Sequence, residues 1–208
     1  MLQKKLFLFD YDLTFYSMEA GIIQEIDRRI SRYIERKTGM PFKDADELRQ
    51  DFFREYGTTL RGLTKHYGVK PSDFLEYVLD VPEEVIPGPD PEISALLETI
   101  PQPKYIFTNA WGEYVRKSLD KMELSGYFLG IFDIIKFNYR CKPEEIVYIE
   151  TCREIGIPPS ETVLVEDSPE NIKTARTLGM TTVSVGERAR GCADFHVSYL
   201  KDLGNFLE

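Results

Sequence analysis

Seven residues of this 208-residue chain are of types that could share one chemistry, and each sits beside an apolar run or a helix start. Asp10 and Asp12 follow the apolar stretch Leu6–Phe9. Thr108 and Asn109 close and follow a second stretch, Lys-Tyr-Ile-Phe-Thr at 104–108. Glu166 and Asp167 follow a third, Thr162–Val165, and Lys142 precedes Pro143, which can open a helix. If the runs are parallel strands, all seven gather beyond the carboxyl ends of one sheet, where such sheets place their sites. Four carboxylates in one cleft repel one another unless a cation lies among them. Oxygen donors with room left for a substrate favour Mg²⁺, and no His or Cys is placed to suggest zinc. Plainer readings accompany these. Asp10 and Asp12 could serve as turn and cap residues, and Glu166-Asp167-Ser168-Pro169 reads as a helix start capped by Ser168.

The rest of the pattern must position them. Leu6–Phe9 reads as a buried strand. A long, mainly helical segment follows. Ile22, Ile23, Ile26, Ile30, Tyr33 and Ile34 recur at helical spacing, with Gly39 as the stop. Further helices are predicted at 44–56, 58–67 and 71–79, and residues 81–91, rich in proline, read as a linker. Beyond Asp90 helices and strands alternate. Helices are predicted at 91–100, 112–123, 143–156 and 169–178, with strands at 104–108, 132–136, 162–165, 182–185 and 195–197. Alternation of this kind predicts an α/β fold, a doubly wound parallel sheet with helices on both faces. The expected organisation is a catalytic core at 1–15 and 87–208, interrupted by a helical insert at 16–86.

Composition narrows the partners. The formal charge is −9, so no basic footprint for nucleic acid or an anionic membrane is expected. No run approaches the ~18–20 apolar residues of a membrane span. The opening Met1–Phe9 begins like a signal peptide, but Asp10 and Asp12 interrupt it too early for a signal core, so the cytoplasm is the expected compartment. Cys141, Cys152 and Cys192 are odd in number and form no CxxC pair, so free thiols are expected.

Taken together, Asp10-Tyr11-Asp12-Leu13-Thr14, Thr108-Asn109, Lys142-Pro143 and Val165-Glu166-Asp167-Ser168-Pro169 resemble, in order, the four signatures of the haloacid dehalogenase superfamily. The resemblance implies a Rossmann-like core and a Mg²⁺-dependent phosphomonoesterase. Asp10 would be the nucleophile and form an aspartyl-phosphate. Asp12 would protonate the leaving oxygen and then take a proton from water, its backbone carbonyl also meeting the metal. Asp167, with Glu166, would hold Mg²⁺ together with Asp10. Thr108, the Asn109 backbone N–H and Lys142 would bind the phosphoryl oxygens. Dehalogenase members lack the second carboxylate, since a halide needs no proton, so Asp12 points to phosphoryl transfer. Thr14 resembles the hydroxyl that steadies the first loop. Leu13 stands where many members have glycine.

Inside the insert, Tyr56-Gly57-Thr58-Thr59-Leu60-Arg61-Gly62-Leu63 resembles a cap segment of the pyrimidine 5′-nucleotidase-like branch, and Phe15-Tyr16 fits that branch too. This implies a helical cap over a small-molecule phosphomonoester, a nucleoside 5′-monophosphate with a pyrimidine preferred. Arg61 could then pair with a phosphate or a base carbonyl, and it reads equally well as a solvated helix arginine. Phosphoglycolate or sugar-phosphate hydrolysis, a phosphomutase and a non-catalytic binding module are the alternatives. Either a monomer or a small homo-oligomer is compatible with the sequence.

Overall fold

The computed structural model describes residues 4–207. The first three residues of the signal-like opening lie outside them. In chain order the elements are β1 (Leu6–Phe9), α1 (Ile22–Thr38), α2 (Phe42–Tyr56), α3 (Thr59–Tyr67), α4 (Pro71–Val78), α5 (Pro91–Thr99), β2 (Lys104–Phe107), α6 (Gly112–Lys121), β3 (Ile131–Phe132), α7 (Glu145–Ile155), β4 (Thr162–Glu166), α8 (Pro169–Thr177), β5 (Thr181–Val185) and β6 (Phe195–Val197). Two compact units result: residues Met18–Ile86, and the remainder of the described chain.

The larger unit is an α/β fold, a six-stranded parallel sheet in the order β3-β2-β1-β4-β5-β6 with helices on both faces. β1 and β4 are buried along their whole length, as apolar strands covered on both faces must be. Leu6, Leu8, Phe107, Phe132, Tyr148 and Leu164 form part of one continuous core. In register, Phe9 pairs with Ile106 of β2 on one side and Val165 of β4 on the other. The ends of β1, β2 and β4 therefore lie side by side. Strand order reverses direction on either side of β1, which makes this edge the topological switch point.

One predicted strand is shorter than expected. Only Ile131–Phe132 pairs with β2. Beyond it, Asp133 Oδ1 accepts from the Lys136 N–H at 2.9 Å, and Asn138 and Tyr139 take φ of 52° and 64°. A side chain that bonds its own backbone three residues on turns the chain out of the ladder. Helix α7 likewise starts at Glu145 rather than 143. The proline-rich linker carries a short 3₁₀ turn at Glu83–Val85.

The smaller unit holds α1–α4. Ser31 Oγ of α1 donates to Asp46 Oδ1 of α2 at 2.8 Å, and Arg49 of α2 pairs with Asp27 of α1 at 2.8 Å. Gly39, Gly57 and Gly68 follow α1, α2 and α3 in left-handed backbone, the conformation that lets a helix close its last turn. Cys141, Cys152 and Cys192 form no disulfide. Among the described residues, no helix is long and apolar enough to cross a membrane.

Candidate active site

The edge of the sheet delivers the predicted residues together. Asp10 directly follows β1, and its backbone N–H still donates to Val165 O of β4 at 2.9 Å, so its position is fixed by the sheet. Thr108 follows β2 and donates its N–H to Phe132 O at 2.9 Å. Its hydroxyl oxygen accepts from the Ala110 N–H at 3.0 Å, which leaves the O–H free to donate.

Lys142 is buried, its side chain 1% exposed. Its ammonium donates to Asp10 Oδ1 at 2.8 Å, Glu166 Oε2 at 2.6 Å and Phe107 O at 2.7 Å. Those three acceptors come from the ends of β1, β4 and β2, so one cation ties three strands. Burial lowers the tendency of Lys142 to stay charged, but the Asp10 and Glu166 carboxylates outweigh that and hold it above the ordinary lysine range. The loop that carries Lys142 is held by Asn109, which donates from Nδ2 to Lys142 O at 2.9 Å and accepts at Oδ1 from the Lys142 N–H at 2.8 Å.

Asp10, Glu166 and Asp167 each offer a carboxylate oxygen within 4.8 Å of the others, and all three are buried. Burial, reinforced by Glu166, pushes the Asp10 carboxyl well above its usual range, against the opposing pull of Lys142. Burial and Glu166 together push Asp167 up to about 7. Three buried acids with one ammonium among them carry excess negative charge, and a hard divalent cation would relieve it with the oxygen donors present. The two acids at the end of β4 differ in what remains available. Glu166 Oε2 accepts from Lys142, and Oε1 accepts from the backbone N–H groups of Asp167 and Ser168 at 3.1 Å each. Asp167 pairs through Oδ2 with Arg188 Nη1 at 3.3 Å. Ser168 occupies the N-cap position of α8, but its hydroxyl donates to Glu170 Oε2 at 3.0 Å instead of capping the helix.

Asp12 lies under aromatic cover. Tyr16 Oη donates a hydrogen bond to Asp12 Oδ1, and Tyr114 Oη lies 3.5 Å from the same oxygen. Burial raises the Asp12 carboxyl, and the Tyr16 hydrogen bond opposes that rise. The Thr14 hydroxyl is buried and makes no hydrogen bond among the described residues. Leu13, the departure from the glycine of the resembled signature, has φ of 60°.

Asp10, Lys142, Glu166 and Asp167 thus form one cluster, with Asp12, Thr108 and Asn109 on the same edge. Arg61 belongs to the smaller unit, where it is exposed on α3. Its neighbours in the cap-like segment have structural duties. Gly57 ends α2, and Thr58 Oγ1 accepts from the Arg61 N–H at 3.3 Å to start α3. Thr59 Oγ1 donates to Arg49 O at 3.1 Å. A Cβ on Gly62 would stand 2.3 Å from Phe52 Cγ, so the glycine lets α3 close on α2. Sequence reasoning missed Arg188 and the tyrosines around Asp12. The strand-end rule, extended to the loop after β5, would have found Arg188. No local pattern ties Tyr114, in the first turn of α6, to Asp12.

The haloacid dehalogenase-like hydrolase family model matches residues 7–185. Phosphate metabolism protein 8 of Saccharomyces cerevisiae is 23% identical over 194 residues, covering 85% of this chain and 60% of that protein. The chain thus spans less than two thirds of the length of that relative. A solved HAD phosphatase from Thermococcus onnurineus is 25% identical with a TM-score of 0.68, over 98% of this chain and 97% of that one. YfnB of Bacillus subtilis, solved bound to magnesium, has a TM-score of 0.65 at 17% identity over 99% of both chains, a likeness of fold. With the family model spanning the sheet from β1 to β5, the chain belongs to the haloacid dehalogenase-like hydrolase family.

Proposed function

We propose that the chain is a Mg²⁺-dependent phosphomonoesterase that works through an aspartyl-phosphate on Asp10. The observation that carries this is the Lys142 ammonium bridging Asp10 and Glu166 inside a three-carboxylate cluster, with a further carboxyl two residues on at Asp12. Asp10 Oδ attacks phosphorus in line as the bond to the ester oxygen breaks. An alkoxide leaves poorly without a proton, and Asp12 is the group that supplies one and later takes one from the attacking water. Thr108 O–H, the Asn109 N–H and Lys142 bind the phosphoryl oxygens as charge redistributes. Asp10, the Asp12 carbonyl and Asp167 would hold the cation directly. Glu166, with both oxygens already engaged, would support them from behind. When bound, Mg²⁺ screens the carboxylates so that an anionic nucleophile can approach an anionic phosphate.

The substrate class we favour is a nucleoside 5′-monophosphate, pyrimidine preferred, with Met18–Ile86 acting as a cap and Arg61 as a substrate contact. What supports this is the likeness of Tyr56–Leu63 to a nucleotidase cap segment. The test is phosphate release from UMP, CMP, dTMP, AMP, phosphoglycolate and sugar phosphates, with Mg²⁺ or chelator, for the native chain and Asp10→Asn. Mg²⁺-dependent release from the pyrimidine nucleotides, lost in Asp10→Asn, is expected. Turnover that survives Asp10→Asn would sink the mechanism, and a preference for phosphoglycolate would sink the substrate class alone.

A further inference from the structure

We propose that Tyr16 is a positioning residue for Asp12, wedged in place by Tyr11 and assisted by Tyr114. This rests on the reading of Asp12 as the proton donor to the leaving group.

The argument begins in the backbone. The N–H groups of Thr14 and Phe15 both donate to Tyr11 O, at 3.2 and 3.1 Å. That tight turn brings residue 16 back over residue 12, and Tyr16 Oη meets Asp12 Oδ1. Tyr114, from α6, approaches the same oxygen at 3.5 Å. Asp12 Oδ2 makes no hydrogen bond among the described residues, so both phenols restrain one oxygen and leave the other available to a ligand.

What holds the phenols is Tyr11, whose side chain is wholly buried. The Tyr16 ring packs on it at 5.6 Å and 69°, the Tyr114 ring at 5.7 Å and 83°, and Phe15 stacks on it at 5.9 Å. Edge-to-face contacts of this kind fix ring orientation as well as burying area. A tyrosine also has two side-chain torsions to freeze, so a packed ring delivers its hydroxyl to one place at small entropic cost. Tyr11 therefore sits between the two acids in sequence as the wedge that sets the donors on the second acid.

In the step concerned, the Asp10–phosphorus bond forms and the phosphorus–ester oxygen bond breaks. The electron pair stays on the ester oxygen, which takes the proton from the Asp12 carboxyl. A misoriented Asp12 harms departure of an alkoxide, which needs that proton, more than departure of p-nitrophenolate, which does not. The measurement is kcat/KM of the native chain, Tyr16→Phe, Tyr114→Phe and Asp12→Asn with Mg²⁺, on p-nitrophenyl phosphate and on UMP. This parameter reports steps up to phosphorus–oxygen cleavage. The expected result is a fall of about 10-fold or more in the UMP to p-nitrophenyl phosphate ratio for Tyr16→Phe, a smaller fall for Tyr114→Phe and the largest for Asp12→Asn. The aryl ester serves as the internal control for folding. A proportional loss on both esters, or no loss on either, overturns the positioning role. A ratio that Asp12→Asn also leaves unmoved overturns the reading of Asp12 itself.

Discussion

Asn109 and Lys142 are joined by a reciprocal pair of hydrogen bonds, side-chain amide to backbone, at 2.9 and 2.8 Å. The amide after β2 thereby clamps the loop that carries the buried ammonium, and the phosphoryl-binding duty expected of its backbone N–H is separate from this one. Asn109→Ala should remove both bonds and leave a buried N–H and C=O without partners. The expected cost is about 1–3 kcal/mol of stability, seen in urea unfolding. Asn109→Asp should also be destabilising, since it replaces the donor facing Lys142 O with an acceptor. Wild-type stability in both variants would refute the clamp.

Lys142 is the only ammonium that pairs directly with Asp10 and Glu166 among the described residues. Lys142→Met should leave two buried acids without their cation. Breaking a buried pair by removing one partner costs about 3–5 kcal/mol, so the metal-free variant is expected to lose stability on that scale. Mg²⁺ should restore part of it. A variant as stable as the native chain in chelator would show that the cluster does not need its lysine.

The strand-end rule made most of this edge legible. The runs at 6–9, 104–107 and 162–166 are strands, the first and third buried along their whole length, and the end of each hands polar side chains to the same edge. Such runs are readable because a strand covered on both faces has little freedom in composition. The Phe132–Lys136 strand failed because the Asp133 turn overrides the apolar pattern after two residues. Tyr11, Tyr16 and Tyr114 were not legible as a group. Their association joins a loop to a helix about a hundred positions away, and no local pattern carries that contact.

Asp167 gives the pH dependence. An unfolded Asp titrates near about 3.9, whereas in the fold it is pushed up to about 7. Between those values the folded state binds the extra proton. Its stabilising contribution is therefore full below the unfolded value and is lost as pH rises through the folded one. Asp10 shifts in the same direction. In chelator, the melting temperature should fall from pH 5 to pH 8, and Asp167→Asn should flatten that fall. The rise on adding Mg²⁺ should be larger at pH 8, because the cation binds the deprotonated acids and displaces protons. Differential scanning fluorimetry at both pH values, with chelator and with Mg²⁺, checks this. A chelated melting temperature identical in the native chain and Asp167→Asn across the range would contradict it.

Leu13 offers the sharpest test of local strain. Its φ of 60° lies in the left-handed region, where a side chain costs roughly 1–2 kcal/mol relative to glycine. Leu13→Ala and Leu13→Gly both remove the partly buried side chain, so their difference isolates the backbone. In ordinary extended or helical backbone alanine is the more stable of the two, by about 0.5–1 kcal/mol in a helix or strand interior. Here the order should reverse, with Leu13→Gly more stable than Leu13→Ala by about 1 kcal/mol in urea unfolding. Alanine the more stable variant would mean that the loop between Asp12 and Thr14 relaxes out of the left-handed conformation.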